Sequence, residues 1–327
     1  MFSKTVTLPV GLDDAFALVT EPARLRRWQA VSATVDLRVG GDYHWTITPG
    51  HVASGTYRVL EPGRRVVFGW GWEGSNDLPP DTSTVAITLQ AVDGGTEVTL
   101  VHEGLDDQQE QQHAEGWNHY LSRLERAAVA GDAGPDEWTA VPDPLDELTA
   151  AQAVLAVLQS VLVRLTAEDQ PKQTPCTDFT CHDLALHLFA SLESLGAMAG
   201  VQVVNPGTGT LENKVAVMGA QMIAGWRTRG LEGTVPGPGG GQMPATYAAS
   251  IIPVELLLHT WDMSRGSGKP MQVSDELVGY VHGLAEQIVP GGRGRSFGDE
   301  VPAPADASPL ERLAAFAGRQ PRTPVAA

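Results

Sequence analysis

The stretch GDAGPDEWTAVPDPL, residues 131–145, decides how this chain divides. It mixes Gly, Pro and acidic residues without hydrophobic periodicity, so it reads as an interdomain linker. Before it, the pattern belongs to strands. Segments 4–10, 33–39, 42–48, 53–60, 64–72, 83–91 and 96–103 are rich in Val, Thr, Ile and aromatics. Turn pairs punctuate them: Gly40-Gly41, Pro49-Gly50, Pro62-Gly63, Pro79-Pro80 and Gly94-Gly95. In TYRVL (56–60), STVAITLQ (83–90) and GTEVTLVH (95–102), alternation predicts half-buried antiparallel strands. Two helices interrupt them. One covers 12–28, with Asp13 and Asp14 at its start. The other covers 107–130, where Trp117, Leu121 and Leu124 share a face. After the linker everything reads as helix: 146–167, 181–199, 211–229, 246–265, 274–288 and a short amphipathic piece at 308–317. The expected organisation is therefore residues 1–130, a linker at 131–145, and residues 146–327.

Composition narrows the function. A length of 327 residues suits two domains, each large enough to bury a core without disulfides. The net charge of −17 argues against nucleic acid, because phosphate contacts need a basic face. An anionic membrane surface is disfavoured for the same reason. No apolar run is long enough for a span and no secretory leader is read. Two cysteines make no disulfide framework, so a reducing, cytoplasmic compartment is expected. GPGGG at 237–241 lacks the Lys-Ser/Thr of a phosphate loop and reads as a flexible connection.

The order strand, helix, six strands, long helix is that of a helix-grip fold, in which an antiparallel sheet curls around the last helix and leaves an apolar cavity. The pieces VTLPVGLDDAFALVTEPARLRRW, GGDYHWTI, SGTYRVLEPGRRVVFGWGW, GGTEVTLVHEGL and GWNHYLSRLERA resemble the START-like SRPBCC superfamily. The branch is the one similar to activators of the heat-shock-protein ATPase. The resemblance implies a pocket for a small apolar or aromatic organic ligand. Trp28, Trp45, Phe68, Trp70, Trp72, Trp117 and Tyr120 are its candidate lining, with His44, His102 and His119 as polar candidates. The competing reading is that the aromatics are plain core and the histidines satisfied structural groups. No nucleophile–base pair is visible in this half.

The chemistry lies in IIPVELLLHTWDMSRGSG, residues 251–268. Pro253 suits a first turn or a kink, and Gly266 and Gly268 end the helix. Glu255 and His259, four apart, share a face of a helix that is apolar nearly all round. A carboxylate there is costly to bury alone; a metal ion removes that cost, and imidazole is an ordinary zinc ligand. Upstream, Thr180 opens a helix with Asp183 in a variant capping box, which places His187 one turn inside. These groups either bind a metal or hydrogen-bond one another. The pieces TPCTDFTCHDLALHL, ELLLHTWDMSRGSG and ADASPLERLAAFAGRQP resemble DinB-like four-helix metal proteins. The nearest branch is the actinobacterial one similar to mycothiol-dependent maleylpyruvate isomerase. That resemblance implies an all-α DinB-like four-helix bundle and a His187–Glu255–His259 ligand set. It also implies a divalent metal, zinc before nickel or another ion, and mycothiol or a similar thiol as cosubstrate for transfer or isomerisation.

Asp262 and Arg265 follow the ligands on the same helix, where Asp262 either orients a ligand or pairs locally with Arg265. Trp261 reads as packing. Cys176 reads as structural, and Cys181, near a helix N-terminus, as a minor redox candidate. The principal expectation is a metal- and thiol-dependent transferase or isomerase with an N-terminal apolar pocket. The alternatives are a non-enzymatic binding or stress-response protein with a structural metal, and a chaperone cofactor.

Overall fold

A computed structural model describes residues 1–321 apart from 238 and 239. The chain folds as two compact units, Met1–Asp136 and Glu137–Ala327. The expected loop at 237–241 and the tail to 327 lie partly outside the described residues.

The first unit contains strands β1 (Phe2–Leu8), β2 (Ser32–Val35), β3 (Asp42–Thr48), β4 (His51–Glu61), β5 (Arg65–Trp70), β6 (Ser83–Val92) and β7 (Gly95–Glu103). They form one antiparallel sheet in the order β1-β7-β6-β5-β4-β3-β2. The first strand therefore closes on the last, with Phe2 opposite His102 and Leu8 opposite Thr96. Alternation buries one face: Tyr43, Trp45, Tyr57, Phe68 and Trp70 point into the core.

The helix expected over 12–28 is two pieces, α1 (Leu12–Thr20) and α2 (Pro22–Leu25). Pro22 holds the preceding Glu21 in the extended region, which stops α1 and starts α2. The long helix α3 (Asp107–Ala130) begins with an Asp106–Gln109 capping box and ends at Gly131, whose φ of 80° favours glycine. Its buried face, including Trp117, Tyr120, Leu121 and Leu124, joins the sheet's core.

Residues 132–136 are strapped to this unit rather than free. Arg123 donates to the carbonyls of Trp28, Gly134 and Pro135, and the Ala133 N–H reaches Arg27 O.

The second unit is helical: α4 (Glu147–Leu162), α5 (Cys181–Met198), α6 (Leu211–Arg229), α7 (Ala245–Ser267), α8 (Asp275–Gly292) and α9 (Pro309–Phe316). Helix α4 packs against α6 and α7, and α5 also packs against α6 and α7; α8 covers α7 and α9 covers α8. Strands β8 (Thr234–Pro236) and β9 (Gln242–Pro244) form a small hairpin before α7. Three-residue strands carry too little alternation to be read in advance.

Of the two places open to Pro253 in α7, the structure shows the one inside the helix rather than the first turn. Gly266 differs from expectation: it is internal, and Gly268, with φ 73°, is the cap. Gly266 allows a close approach: a Cβ there would sit 3.0 Å from Gln173 O and 3.2 Å from Cys181 Sγ. Among the described residues, no helix is long and apolar enough to cross a membrane.

Candidate functional site

Helix α5 starts where Thr180 and Asp183 cap one another's backbone N–H groups. That start sets the phase of the helix, so His187 and Ser191, four apart, share the face turned to α7. Helix α7 supplies Glu255 and His259 at the same spacing. The structure brings the three expected groups together: one ligand atom from each of His187, Glu255 and His259 lies within 4.8 Å of the others.

His187 Nε2 is 3.0 Å and His259 Nε2 3.3 Å from the same oxygen, Glu255 Oε1. Ser191 Oγ donates to that oxygen at 2.7 Å. Phe179 stacks on His187, with ring centroids 4.9 Å apart and planes 24° from parallel. Side-chain exposure grades across the cluster, 6% for His259, 19% for Glu255 and 35% for His187. The group is thus anchored in the core and open to solvent at His187.

Burial raises the cost of a charge on Glu255, but His259, His187 and Ser191 outweigh it and hold the carboxyl well below the usual range. Burial also works against a charge on His259; Glu255 and Asp262 overcome it and push His259 up to about 9. Two imidazole nitrogens and one carboxylate, converging from two helices, make a donor set of the kind a divalent cation takes. A cation would replace the proton that now holds His259 and Glu255 together.

The groups around this cluster correct the expected partners. Arg265 does not pair with Asp262: it is exposed, with its guanidinium over the Trp261 ring at 6.0 Å. Asp262 is fully buried and meets Arg319 instead, Nη2 to Oδ2 at 3.0 Å. Its Oδ2 also lies 3.2 Å from His259 Nδ1. Arg319 was invisible to a local reading because 57 positions separate the pair. The one signal was its place inside the closing ADASPLERLAAFAGRQP piece. Neither cysteine is a ready nucleophile. Cys181 is buried at the start of α5, and burial, with Asp169, pushes its thiol up; burial and Asp262 do the same to Cys176. Burial outweighs the helix N-terminus that favoured Cys181 as a redox group.

In the first unit the expected lining residues split. Trp28, Trp45, Trp70, Trp117 and Tyr120 are buried in one cluster, with Trp72 packed against it. His44 is not among them. Alternation along β3 sends Tyr43 and Trp45 inward and His44 outward, where its Nδ1 lies 2.5 Å from Glu73. His119 is turned to Asp136 at 2.9 Å.

His102 is fully buried and its hydrogen bonds define its tautomer. Nδ1 accepts from the Trp117 indole N–H at 3.0 Å, so Nε2 carries the proton and donates to Ser83 Oγ at 2.9 Å. Ser83 in turn donates to Trp70 O at 3.0 Å. The proton therefore points from imidazole to hydroxyl, the reverse of what a general base needs. His113 was missed, although it lies four residues before Trp117 on the buried face of α3. Its Nε2 accepts from the indoles of Trp70 and Trp72, each at 3.3 Å, while Nδ1 faces Gln109 O. These two neutral imidazoles and three indoles form a structural network.

Parts of this chain resemble known proteins. Residues 10–128 match the family described as Activator of Hsp90 ATPase homolog 1-like protein. An uncharacterized protein of Mycobacterium tuberculosis (strain H37Rv) is 26% identical over 185 residues, spanning all of that protein and 54% of this chain. A stretch of that length exceeds the 136 residues of the first unit and must take in part of the helical one. Among solved structures, the AHSA1-like protein of Rhizobium etli is 37% identical, with a TM-score of 0.36 over 42% of this chain and 86% of its own. DynU16, a protein of the dynemicin biosynthetic locus, is 22% identical, with a TM-score of 0.38 over 42% of this chain; the chain spans only 50% of DynU16. The N-terminal part of this chain is AHSA1-like, a helix-grip domain of the SRPBCC superfamily.

Proposed function

We propose that the helical unit is a DinB-like bundle holding a divalent metal, zinc in the first instance, on His187, Glu255 and His259. The observation that carries this is the convergence of three ligand atoms within 4.8 Å at a site anchored inside and open outside. Three protein ligands leave room for an exogenous one, the pattern of catalytic rather than structural zinc. A divalent ion there lowers the pKa of a bound thiol or polarises a carbonyl. The activity proposed is metal- and thiol-dependent transfer or isomerisation on a small organic molecule, with mycothiol or a similar thiol as cosubstrate. The thiol comes from solution, because burial keeps both of the chain's own cysteines protonated at neutral pH.

His187, the most exposed ligand, faces the incoming molecule, with the Phe179 ring stacked on it as an apolar wall. Ser191 holds Glu255 Oε1 in place. The AHSA1-like unit contributes a pocket for a small apolar ligand. Two buried donors in its core, Trp45 Nε1 and Tyr57 Oη, have no partner among the described residues. They suit a ligand that carries a hydrogen-bond acceptor on an apolar frame.

The test is elemental analysis of protein purified without chelator, followed by His259→Ala. One equivalent of divalent metal in the wild type, and loss of thiol-dependent turnover with the fold retained in the variant, is the expected result. Protein that neither carries nor takes up a divalent ion overturns the reading. A second reading, a non-enzymatic binding protein with a structural metal, is favoured by the reversed Ser83–His102 polarity, which leaves the pocket without a base. Under that reading His259→Ala unfolds the helical unit and no turnover is lost.

A further inference from the structure

The chain beyond α9 makes an unexpected approach to the metal site. Gly318 has a φ of 85° and packs so closely on Gly298 that a Cβ would sit 2.7 Å from the Gly298 Cα. This turn lets the backbone fold back, with the Arg319 N–H on Ala314 O, and drives the Arg319 side chain inward. There the guanidinium forks onto Asp262, Nη2 to Oδ2 at 3.0 Å and Nε to Oδ1 at 3.4 Å, with Nη1 on Ala317 O. Both partners are buried. Such a pair gains little stability over apolar residues of the same size, so its presence asks for another reason.

The reason is on the other side of the carboxylate. Asp262 Oδ2 is 3.2 Å from His259 Nδ1, while His259 Nε2 faces Glu255. An acceptor on Nδ1 keeps a proton there, so Nε2 is the nitrogen left to exchange its proton for a cation, and it fixes the rotation of the ring. With no cation beside it, Asp262 would be a second buried negative charge two turns from Glu255 on the same helix; Arg319 neutralises it without touching a ligand.

We infer that Asp262 is the positioning residue of the metal site and that Arg319, delivered by the turn after α9, holds Asp262 to that task. This rests on the metal reading above. The C-terminal segment is then part of the site's second layer of contacts, and losing Arg319 weakens metal binding through Asp262 alone.

The experiment is a Co²⁺ titration of the full chain, stripped with chelator, followed by visible absorption. It compares wild type, Asp262→Asn, Arg319→Met and the double variant, with circular dichroism confirming the fold. The double variant removes both charges together, so it stays folded even where a single variant, left with one unpaired buried charge, does not. The expected result is roughly 10- to 100-fold weaker Co²⁺ affinity and an altered absorption band in each single variant. The double variant is no weaker than Asp262→Asn, since both residues act through one chain of contacts. Folded variants that bind Co²⁺ like wild type, with the same spectrum, overturn the positioning role alone. Wild type that takes up no Co²⁺ overturns the metal reading and this inference together.

Discussion

His102 is one residue through which acid weakens the AHSA1-like unit. Burial, reinforced by neighbouring His113, lowers its pKa from 6.5 to about 3. Protonating it would set a second N–H against the Trp117 indole. The unfolded chain binds that proton near pH 6.5, and the folded unit does not until about pH 3. His102's contribution is therefore complete above pH 6.5, erodes as pH falls and is gone below about 3. Between pH 7 and 4.5 the loss is about 2.5 kcal/mol, a large share of an ordinary domain's ~5–15 kcal/mol.

Carboxylates titrate in the same interval, so the test needs a variant that keeps the contacts and drops the titration. His102→Gln does both, because its amide can accept from Trp117 and donate to Ser83. Urea unfolding followed by tryptophan fluorescence, at pH 7 and 4.5, should show wild type losing about 2.5 kcal/mol more than the variant. The histidine Cε1–H resonance that disappears in His102→Gln should stay in its neutral position down to pH 4. Equal losses in the two proteins, or a His102 midpoint near 6.5, would refute the tautomer and burial argument.

The metal-free helical unit should show a different profile. His259, raised to about 9, contributes fully below pH 6.5 and loses its contribution as pH rises through 9. Glu255, depressed, contributes above pH 4.5 and is lost further into acid. Chelated protein should therefore melt highest between about pH 4.5 and 6.5 and lower by pH 9.5; a flat melting curve to pH 10 would count against the Glu255–His259 pair. Gly266→Ala pushes α7 off Gln173 O and Cys181 and should cost about 1–3 kcal/mol by urea unfolding. An unchanged midpoint there would mean the contact relaxes freely. Cys181 should react with a thiol reagent at pH 7.5 only after unfolding, whereas rapid labelling of native protein would contradict its burial.

Local pattern carried most of what could be read in advance. Period-two alternation marked the strands, and the four-residue spacing of Glu255 and His259, with the Thr180 start that phases His187, brought three groups to one point. What escaped was set by distance along the chain or by a competing local rule. Pro22 overrode helical periodicity by constraining Glu21. His44 shares a strand with Trp45, but one step along a pleat sends it to solvent. Arg319 replaced Arg265 as the partner of Asp262 because a turn built on Gly318 and Gly298 reaches a carboxylate that Arg265, on the exposed face, turns away from.

The pairing of β1 with β7 sets an order of events in time. Among the described residues, residues 2–8 have no sheet partner other than residues 96–102. On the ribosome the first strand waits while the rest of the sheet is made, several seconds at ~5–20 residues per second. During that wait its Phe2, Val6 and Leu8 have nowhere native to go, and the free edge of β7 later offers itself to any strand nearby. Sheet closure is thus a long-range search near the end of this unit's folding, and slow refolding and temperature-sensitive expression are the places where that topology will be felt.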